Sequence, residues 1–297
     1  MNFGIIEVGS TNTKAYIYTE EGIKNLGSKY IAFKNNYKIN NKLLENDINS
    51  LYEFIKEIKV KVDKVYAFGT SIFRKLSREE KNNFIKDVKE KFNIDFKIVT
   101  ADEENEYTVN GVIGNIVYNK KMAVVIGGGG STEIAIIDNK KIIKKINLDF
   151  GAMDITDKYP ELKSDIVETD FDTILNYTLS LIPNINESVD VLVLAGGDYI
   201  YFYETVGYKM ESNNIYKDDN QPYIIDFDTA NKYDKDILSK SLDSIKKKCP
   251  NNIGWWDGAR GMRFCMNAVA RKLNAKYIIP TRINMLIGLI NELNDSN

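Results

Sequence analysis

The groups in this sequence that could do chemistry are carboxylates, hydroxyls, arginines and glycine-rich turns. The chain contains no histidine and only two cysteines, Cys249 and Cys265. These counts exclude a Ser-His-Asp or Cys-His catalytic arrangement within the chain, any histidine-containing zinc site and any zinc site built from four cysteines. They also favour free thiols in a reducing compartment over a disulfide framework. An enzyme with this sequence therefore uses oxygen and nitrogen groups, or a hard metal ion held by oxygens.

Two Gly-Ser-Thr turns are candidates for phosphate binding. Residues 9–11 follow one apolar, β-rich run, residues 130–132 follow another, and a second β-rich run comes after each turn. Backbone amides in such a turn can bind phosphate oxygens, and glycine lets the backbone approach closely. A third glycine turn, at residues 196–197, follows an apolar run. Ordinary turn chemistry explains any one of them, but the three together favour phosphate binding.

The two Gly-Ser-Thr turns lie about one small domain apart, which predicts two related halves. Each pattern of apolar run, turn and second run predicts a β-hairpin. The sequences Ser77–Glu80 and Thr100–Glu103 are capping boxes and predict helix starts. Strands and helices alternate along the chain, which is typical of a layered α/β protein. We therefore predict two α/β domains, residues 1–118 and 119–297.

Composition limits the partners of the protein. The 297 residues include 40 Lys and Arg against 42 Asp and Glu, so no global positive field exists to recruit nucleic acid or an anionic membrane. No apolar run reaches the roughly 18 residues of a membrane span. The N-terminus lacks the cationic region of a secretory signal. We expect a cytoplasmic protein that binds neither nucleic acid nor membranes.

Several motifs, taken in order, resemble those of the exopolyphosphatase/guanosine pentaphosphate phosphohydrolase (Ppx/GppA) family of the actin-like superfamily. Gly128–Glu133 matches the family's Gly-Gly-Gly-Ser-Thr-Glu, and Gly69–Arg74 resembles its Ala-Thr-Ser-x-x-Arg. The weaker matches are residues 6–11, 100–104, 148–152 and 196–197. The resemblance implies two actin-like (ribonuclease H-like) domains with an interdomain phosphate-binding cleft. It also allows the terminal helix to pack back on the first domain.

The resemblance implies roles for individual residues. Glu104 would position or deprotonate the attacking water, Arg74 would bind phosphoryl oxygens, and Glu7 would help hold Mg²⁺ or Mn²⁺. Glu103 occupies the N3 position of the Thr100 capping box, which indicates a structural role, although a one-residue shift would make Glu103 the base instead. Phosphate binding is implied for the loop residues Gly9, Ser10, Thr11, Thr70, Ser71, Gly128, Gly129, Gly130, Ser131, Thr132, Gly196 and Gly197.

Three positions depart from the family pattern. Glu7 replaces an aspartate, and Asp154 replaces an arginine. Ile126 stands where the family has an aspartate that helps to hold Mg²⁺, and an isoleucine offers none of the oxygen ligands that Mg²⁺ requires.

The leading hypothesis is a hydrolase that releases terminal phosphate from inorganic polyphosphate or guanosine pentaphosphate, with a homodimer allowed by the resemblance. The alternative is a non-hydrolytic regulatory protein that binds a phosphorylated ligand, which Ile126 motivates. An actin-like kinase or ATPase is a weaker third hypothesis, because no clear adenosine-binding segment is present in the sequence.

Two further features have both a functional and a structural interpretation. Trp255 and Trp256, near Arg260 and Arg263, could stack on a base, but a packed aromatic pair is favoured. The lysines at 144–145 and 246–248 could line a trough for a long polyanion, but a solvated face is the default.

Overall fold

The computed structural model describes residues 2–9, 12–70, 72–117, 120–213, 221–249 and 253–295. The chain divides into two compact units, residues 1–104 and 105–297. The division falls inside one helix, Ala101–Asn115. The limits proposed from the sequence, 1–118 and 119–297, concern separately folding domains and stay a prediction.

The first unit is a five-stranded mixed sheet with helices. Its strand order is β3-β2-β1-β4-β5, in which β1, β2 and β3 are antiparallel neighbours and β4 and β5 continue the sheet in parallel. The elements are β1 (Phe3–Val8), β2 (Asn12–Thr19), β3 (Gly22–Tyr30), α1 (Phe33–Asn40), α2 (Glu45–Lys59), β4 (Lys64–Gly69), α3 (Ile72–Lys75), α4 (Arg78–Phe92), β5 (Phe96–Ile98) and the start of α5 (Ala101–Asn115).

The second unit contains a seven-stranded sheet in the order β10-β11-β12-β9-β6-β7-β8. Its elements are β6 (Met122–Gly127), β7 (Thr132–Asp138), β8 (Lys141–Leu148), α6 (Ala152–Lys158), a short 3-10 helix (Pro160–Lys163), α7 (Phe171–Leu181), β9 (Val191–Ala195), α8 (Tyr199–Val206), β10 (Glu211–Ser212), β11 (Tyr223–Asp226), α9 (Phe227–Ser239), α10 (Leu242–Lys248), α11 (Ile253–Lys272), β12 (Tyr277–Pro280) and α12 (Met285–Asp295).

The two sheets share one topology. In the second unit β6, β7 and β8 are antiparallel neighbours, while β9 and β12 extend the sheet in parallel, so the order β8-β7-β6-β9-β12 repeats β3-β2-β1-β4-β5. This confirms the predicted internal repeat, both predicted hairpins and the predicted α/β class.

Amphipathic helices cover the sheets. Helix α2 buries Leu51, Ile55 and Ile58 on one face, and α4 buries Phe84 and Val88. These positions recur every three or four residues, which places them along one side of an α-helix. The central strand of the second unit, β9, is buried at every position, as expected for a strand covered on both faces.

Two features of the second unit differ from the sequence-based prediction. The apolar periodicity of residues 236–248 predicts a single amphipathic helix, but these residues form parts of two helices, because Ser241 caps α10 through a 3.1 Å hydrogen bond from the Ser244 amide. The polar composition of residues 208–231 predicts an irregular segment, yet it contains β11 and the start of α9, which Asp226 caps at the Thr229 amide. Of that segment, residues 214–220 lie outside the described part.

The terminal helix α12 packs closely against α5 within the second unit. A Cβ atom placed on Gly288 would lie 1.7 Å from the Tyr107 carbonyl oxygen, so the two helices meet with no side chain at this point. None of the helices among the described residues is both long and apolar enough to cross a membrane.

Candidate active site

The first hairpin presents one carboxylate near its turn. Glu7, partly buried near the end of β1, lies opposite Lys14 on β2 in the antiparallel register. Burial raises the pKa of the Glu7 carboxyl; the Lys14 ammonium opposes this shift and the Glu104 carboxylate adds to it. Glu7 is therefore a partly buried acid in the field of one cation and one anion. Gly9 is partly exposed just after β1; Ser10 and Thr11 lie outside the described residues.

The end of β4 is tied to the end of β1. The amide of Thr70 donates a 3.1 Å hydrogen bond to the Val8 carbonyl, and the Thr70 carbonyl accepts from the Phe73 amide at 2.9 Å. A Cβ atom on Gly69 would lie 2.7 Å from the Phe96 ring, so this position accepts only glycine without rearrangement. These contacts fix the start of the short helix α3. Ser71 lies outside the described residues.

Arg74, on α3, holds Glu104 in place. Its Nη1 donates to Glu104 Oε2 at 2.7 Å and to the Val99 carbonyl at 3.1 Å. Both side chains remain about one-third exposed, at 30% and 36%. Within the described part of the chain, Nε and Nη2 of Arg74 donate to no other group. Arginine therefore keeps the two nitrogens of its fork that can bind a phosphate group bidentately.

The neighbouring carboxylate, Glu103, has a different environment. Its Oε2 accepts hydrogen bonds from the Thr100 amide at 2.8 Å and the Thr100 hydroxyl at 3.0 Å, while the Glu103 amide donates back to that hydroxyl at 3.1 Å. Lys97 Nζ lies 2.9 Å from Oε1. These contacts lower the pKa of Glu103 to about 2, and the hydrogen bond from the Thr100 amide has the largest effect. The predicted capping box is thus present, and both oxygens of Glu103 are engaged in it or with Lys97.

The second glycine loop is held by the start of α6. The amides of Ala152 and Met153 donate to the carbonyls of Gly128 and Gly129 at 3.0 Å and 2.7 Å, and the Gly128 amide donates to the Ser131 carbonyl at 2.8 Å. The amides of Gly129 and Gly130 make no hydrogen bond to any described residue. Successive unpaired amides of this kind form an anion-binding concavity.

Gly151 allows this close approach. A Cβ atom on Gly151 would lie 2.3 Å from the Gly128 carbonyl oxygen and 2.8 Å from the Gly130 amide nitrogen. The Gly151 amide is in turn capped by Asp154 Oδ2 at 2.8 Å. Asp154 stands where the family pattern has an arginine, and here its carboxylate caps the start of α6. Thr132 is buried, and its hydroxyl donates to the Phe150 carbonyl at 3.0 Å, which attaches the loop to the same turn.

Ile126 packs over the third glycine turn. Gly196 adopts a left-handed backbone conformation, with φ of 84°, and its amide donates to the Ile283 carbonyl at 2.8 Å. A Cβ atom on Gly196 would lie 2.8 Å from Ile126 Cγ2, so the isoleucine side chain covers this turn. The adjacent Gly197 is partly exposed. The position that would bear a metal-binding carboxylate in the family is thus an apolar contact.

The aromatic pair of the second unit separates into two environments. Trp256 is fully buried, whereas 41% of Trp255 is exposed. Arg260 is buried and donates to backbone carbonyls, including that of Ser164, and Arg263 is buried against Asp234 at 2.6 Å. The packing interpretation is confirmed for Trp256 and for both arginines.

The lysines considered for a polyanion trough lie on the surface. Lys144 and Lys145 are exposed on β8, and Lys145 Nζ lies 3.9 Å from a Glu106 oxygen. Lys246 forms an ion pair with Asp257. Lys144 and Lys145 fit the solvated-face interpretation, whereas the Lys246 side chain is partly buried.

The described residues offer few ligands for a metal ion. No three cysteine, aspartate or glutamate side chains among them lie close enough together to hold one unaided. Magnesium is usually bound by one or two carboxylates together with water and substrate phosphates. Glu7 fits such a role, because the Glu104 carboxylate lies near enough to raise the pKa of Glu7. Ile126 does not.

Comparison with known proteins identifies the family. A profile of the Ppx/GppA phosphatase family matches residues 12–249, and the chain therefore belongs to this family. A curated relative, the bifunctional 3-dehydroquinate synthase/phosphatase of Fusobacterium nucleatum, is 28% identical over 151 residues, which are 49% of this chain and 22% of the relative. The chain thus spans about a fifth of that protein's length.

Solved structures share the fold. The Aquifex aeolicus member of the Ppx/GppA family superposes with a TM-score of 0.77 at 17% identity, covering 100% of this chain and 99% of its own. An exopolyphosphatase from Cytophaga hutchinsonii superposes with a TM-score of 0.69 at 16% identity, covering 100% and 98%. At these identities the superpositions show the fold alone.

Sequence reasoning missed the supports of the site. The supporting roles of three residues were not predicted. The Val99 carbonyl anchors Arg74, and Gly151 and Met153 hold the second loop. The sequence of residues 149–152 indicates a turn, and a turn by itself does not reveal a contact with a distant loop.

Proposed function

We propose that the protein hydrolyses terminal phosphoanhydride bonds of inorganic polyphosphate or guanosine pentaphosphate. The observation that carries the proposal is the Arg74–Glu104 pair. One nitrogen of Arg74 orients the carboxylate at 2.7 Å, while its other two nitrogens are bound to no described residue. A positioned base beside an available guanidinium is an arrangement suited to phosphoryl transfer to water.

The proposed reaction uses Glu104 as the base. A water molecule attacks the terminal phosphorus, and Glu104 accepts its proton as the new P–O bond forms. The bridging P–O bond breaks, and the shortened chain leaves with the electron pair on its oxygen. Arg74 stabilises the negative charge on the equatorial phosphoryl oxygens, which is where a preorganised donor contributes most.

Glu104 is a better candidate for the base than Glu103. Both oxygens of Glu103 are engaged by Thr100 or Lys97, which lower its pKa to about 2 and so reduce its affinity for a proton. Deprotonation of water requires a base with a higher proton affinity. Glu104 instead projects toward the guanidinium that would bind the phosphate.

The second unit contains a loop that is suited to binding phosphate groups. The Gly129 and Gly130 amides make no hydrogen bond to the described residues, while the carbonyls of Gly128 and Gly129 are occupied by α6. The loop thus exposes hydrogen-bond donors while its carbonyl acceptors are occupied, and this arrangement suits an anion. This supports a role in binding phosphate groups of the substrate.

Mg²⁺ or Mn²⁺ is part of the proposal, with Glu7 as its protein ligand. Such a cation supplies positive charge that stabilises phosphate oxygens as the bond breaks. Glu7 would bind it as a carboxylate, which requires loss of the proton that burial favours. Two free, buried cysteines fit the cytoplasmic location that we propose.

A second candidate is a regulatory protein that binds a phosphorylated ligand without turnover. The observation that favours it is Ile126, whose side chain covers Gly196 where the family has a carboxylate. This candidate keeps the phosphate-binding loop and lacks efficient hydrolysis.

Phosphate release from long-chain polyphosphate and from guanosine pentaphosphate tests the proposal. We expect release that requires Mg²⁺ or Mn²⁺, stops with chelator and falls by about 10²–10⁴-fold in Glu104→Gln, the usual contribution of a general base. Glu103→Gln is the matched control and should retain activity. If the wild type releases no more phosphate than Glu104→Gln but binds either ligand, the regulatory candidate replaces the hydrolase.

A further inference from the structure

One large aromatic side chain of the second unit is unusually exposed. Trp255, in the first turn of α11, keeps 41% of its surface in solvent, although its neighbour Trp256 is fully buried. Aromatic side chains bury large areas and dominate cores, so an exposed tryptophan beside a ligand loop can indicate a contact surface.

The ring of Trp255 is held in place from one side. The Trp256 ring meets it edge-on, at 4.9 Å between centroids and 87° between planes, and Tyr201 does so at 6.2 Å and 66°. Phe202 adds a tilted contact at 6.4 Å. Three aromatic neighbours restrict the orientation of the ring before any ligand binds, which lowers the entropic cost of stacking on it.

Contacts connect this ring to the second glycine loop. Met153, 39% exposed, donates its amide to the Gly129 carbonyl at 2.7 Å. Its Sδ would lie 3.9 Å from a Cβ atom on Gly258. Gly258 follows Trp255 by three positions on α11, and helix residues at this spacing have Cβ atoms about 5–6 Å apart. The glycine loop thus contacts Met153, the Met153 thioether lies beside Gly258, and Trp255 lies one helical turn from Gly258 in the second unit.

We propose that Trp255 and Met153 form a stacking surface for the base of a nucleoside phosphate whose phosphate groups contact the Gly129 and Gly130 amides. This inference rests on the proposed function and selects, of its two substrate classes, the nucleotide. Inorganic polyphosphate is polar along its whole length and gains nothing from an exposed indole. A nucleobase gains from both groups, because aromatic faces and a polarisable sulfur each attract a planar ring.

Calorimetric titrations with guanosine diphosphate and with inorganic tripolyphosphate, each with Mg²⁺, test the inference. The full chain is compared with Trp255→Ala, Trp255→Phe and the control Ile166→Ala, which removes an apolar side chain that is 75% exposed. We expect Trp255→Ala to weaken nucleotide binding by about tenfold, within the range of base–aromatic stacking. Trp255→Phe should retain most of the affinity, and tripolyphosphate binding should be unchanged in all variants.

Four outcomes would overturn the inference. Trp255→Ala could bind guanosine diphosphate as the wild type does, or it could lose affinity equally for both ligands. In either case a wild type that still binds tripolyphosphate leaves the proposed function intact. Failure of the wild type to bind either ligand would overturn the phosphate site itself. If Trp255→Ala does not fold, Met153→Ala replaces it and should weaken nucleotide binding alone. An unchanged nucleotide affinity in that variant is the fourth contrary outcome.

Discussion

The hairpins at the start of the two units have the same topology and different chemistry. In the first, Glu7 lies opposite Lys14; in the second, the equivalent position is Ile126, opposite Glu133. Each strand also pairs in parallel with the next strand of its sheet, β4 or β9. The backbone frame is therefore repeated, while the side chain that precedes the glycine loop changes from a carboxylic acid to an aliphatic group.

The two units also differ in the chemical groups that they offer. The first unit gathers charged side chains, with Glu7, Arg74 and Glu104 in one electrostatic environment. The second offers the backbone amides of Gly129 and Gly130, supported by Gly151. Sheet hydrogen bonds use only backbone atoms, so the frame can persist while its side chains change. Four substitutions test this difference, in order of decreasing effect.

Of these four substitutions, Arg74→Gln should cause the greatest loss of activity. It removes both the donor that orients Glu104 and the guanidinium proposed to bind phosphoryl oxygens. We expect kcat for polyphosphate to fall by about 10²–10³-fold, as when a preorganised transition-state donor is lost. Arg78→Gln, at an exposed arginine that begins α4, is the control and should behave as the wild type. If Arg74→Gln retains full activity, the charged side chains of the first unit do not take part in the reaction as proposed.

Gly151→Ala should weaken the contribution of the second unit. The added Cβ would lie 2.3 Å from the Gly128 oxygen, so the loop must move. We expect tripolyphosphate affinity to fall and the free energy of unfolding to decrease by about 1–3 kcal/mol, a typical cost of overpacking. Calorimetry and urea denaturation measure the two effects.

The control for this substitution is Gly130→Ala, where an added Cβ would meet nothing within 4 Å. Its free energy of unfolding should stay within about 0.5 kcal/mol of the wild type. Unchanged tripolyphosphate affinity in Gly151→Ala would show that the position of this loop does not govern phosphate binding.

Ile126→Asp would make the two hairpins alike. A second carboxylate should tighten Mg²⁺ binding by about tenfold, or about 1.4 kcal/mol, measured by calorimetry. Ile126→Asn introduces a side chain of nearly the same shape as aspartate without the charge, and serves as the control. If the two variants bind Mg²⁺ with equal affinity, the lack of a carboxylate at position 126 does not explain a difference in metal binding between the hairpins.

Glu103→Ala should have the least effect, on stability rather than on activity. Loss of the capping interaction should lower the free energy of unfolding by about 0.5–1 kcal/mol at pH 7. The folded pKa of about 2 lies below the ordinary value of 4.5, so this stabilisation is present above pH 4.5 and is lost as the pH falls toward 2. Urea denaturation at pH 7 and at pH 3 should therefore show a smaller difference from the wild type at the lower pH.

Glu104→Gln provides the contrast to that variant. It should lose activity and leave the capping box in place. If Glu103→Ala instead abolishes phosphate release while remaining folded, the base has been assigned to the wrong one of the two neighbouring carboxylates.

Local features of the fold could be predicted because their causes are close together in the chain. Thr100 and Glu103 form a capping box across three residues, and the predicted box is present with both of its hydrogen bonds. The short apolar run at Lys64–Gly69 predicts a buried strand, and β4 spans the same residues. The single helix predicted over 236–248 was wrong because its apolar periodicity continues past Ser241, whereas the capping preference of that serine starts a new helix.

The amino-acid sequence alone established which chemistry is available, because counts of residue types do not depend on folding, and it predicted the hairpins and their glycine loops, because turn geometry is local. Which groups meet was settled only by tertiary packing. Arg74 and Glu104 are 30 positions apart, and Ile126 reaches Gly196 across neighbouring strands. Packing also exposed Trp255 and buried Trp256, since adjacent helix residues point in directions about 100° apart. Contacts between distant residues follow from how whole elements pack, and no local pattern encodes that packing.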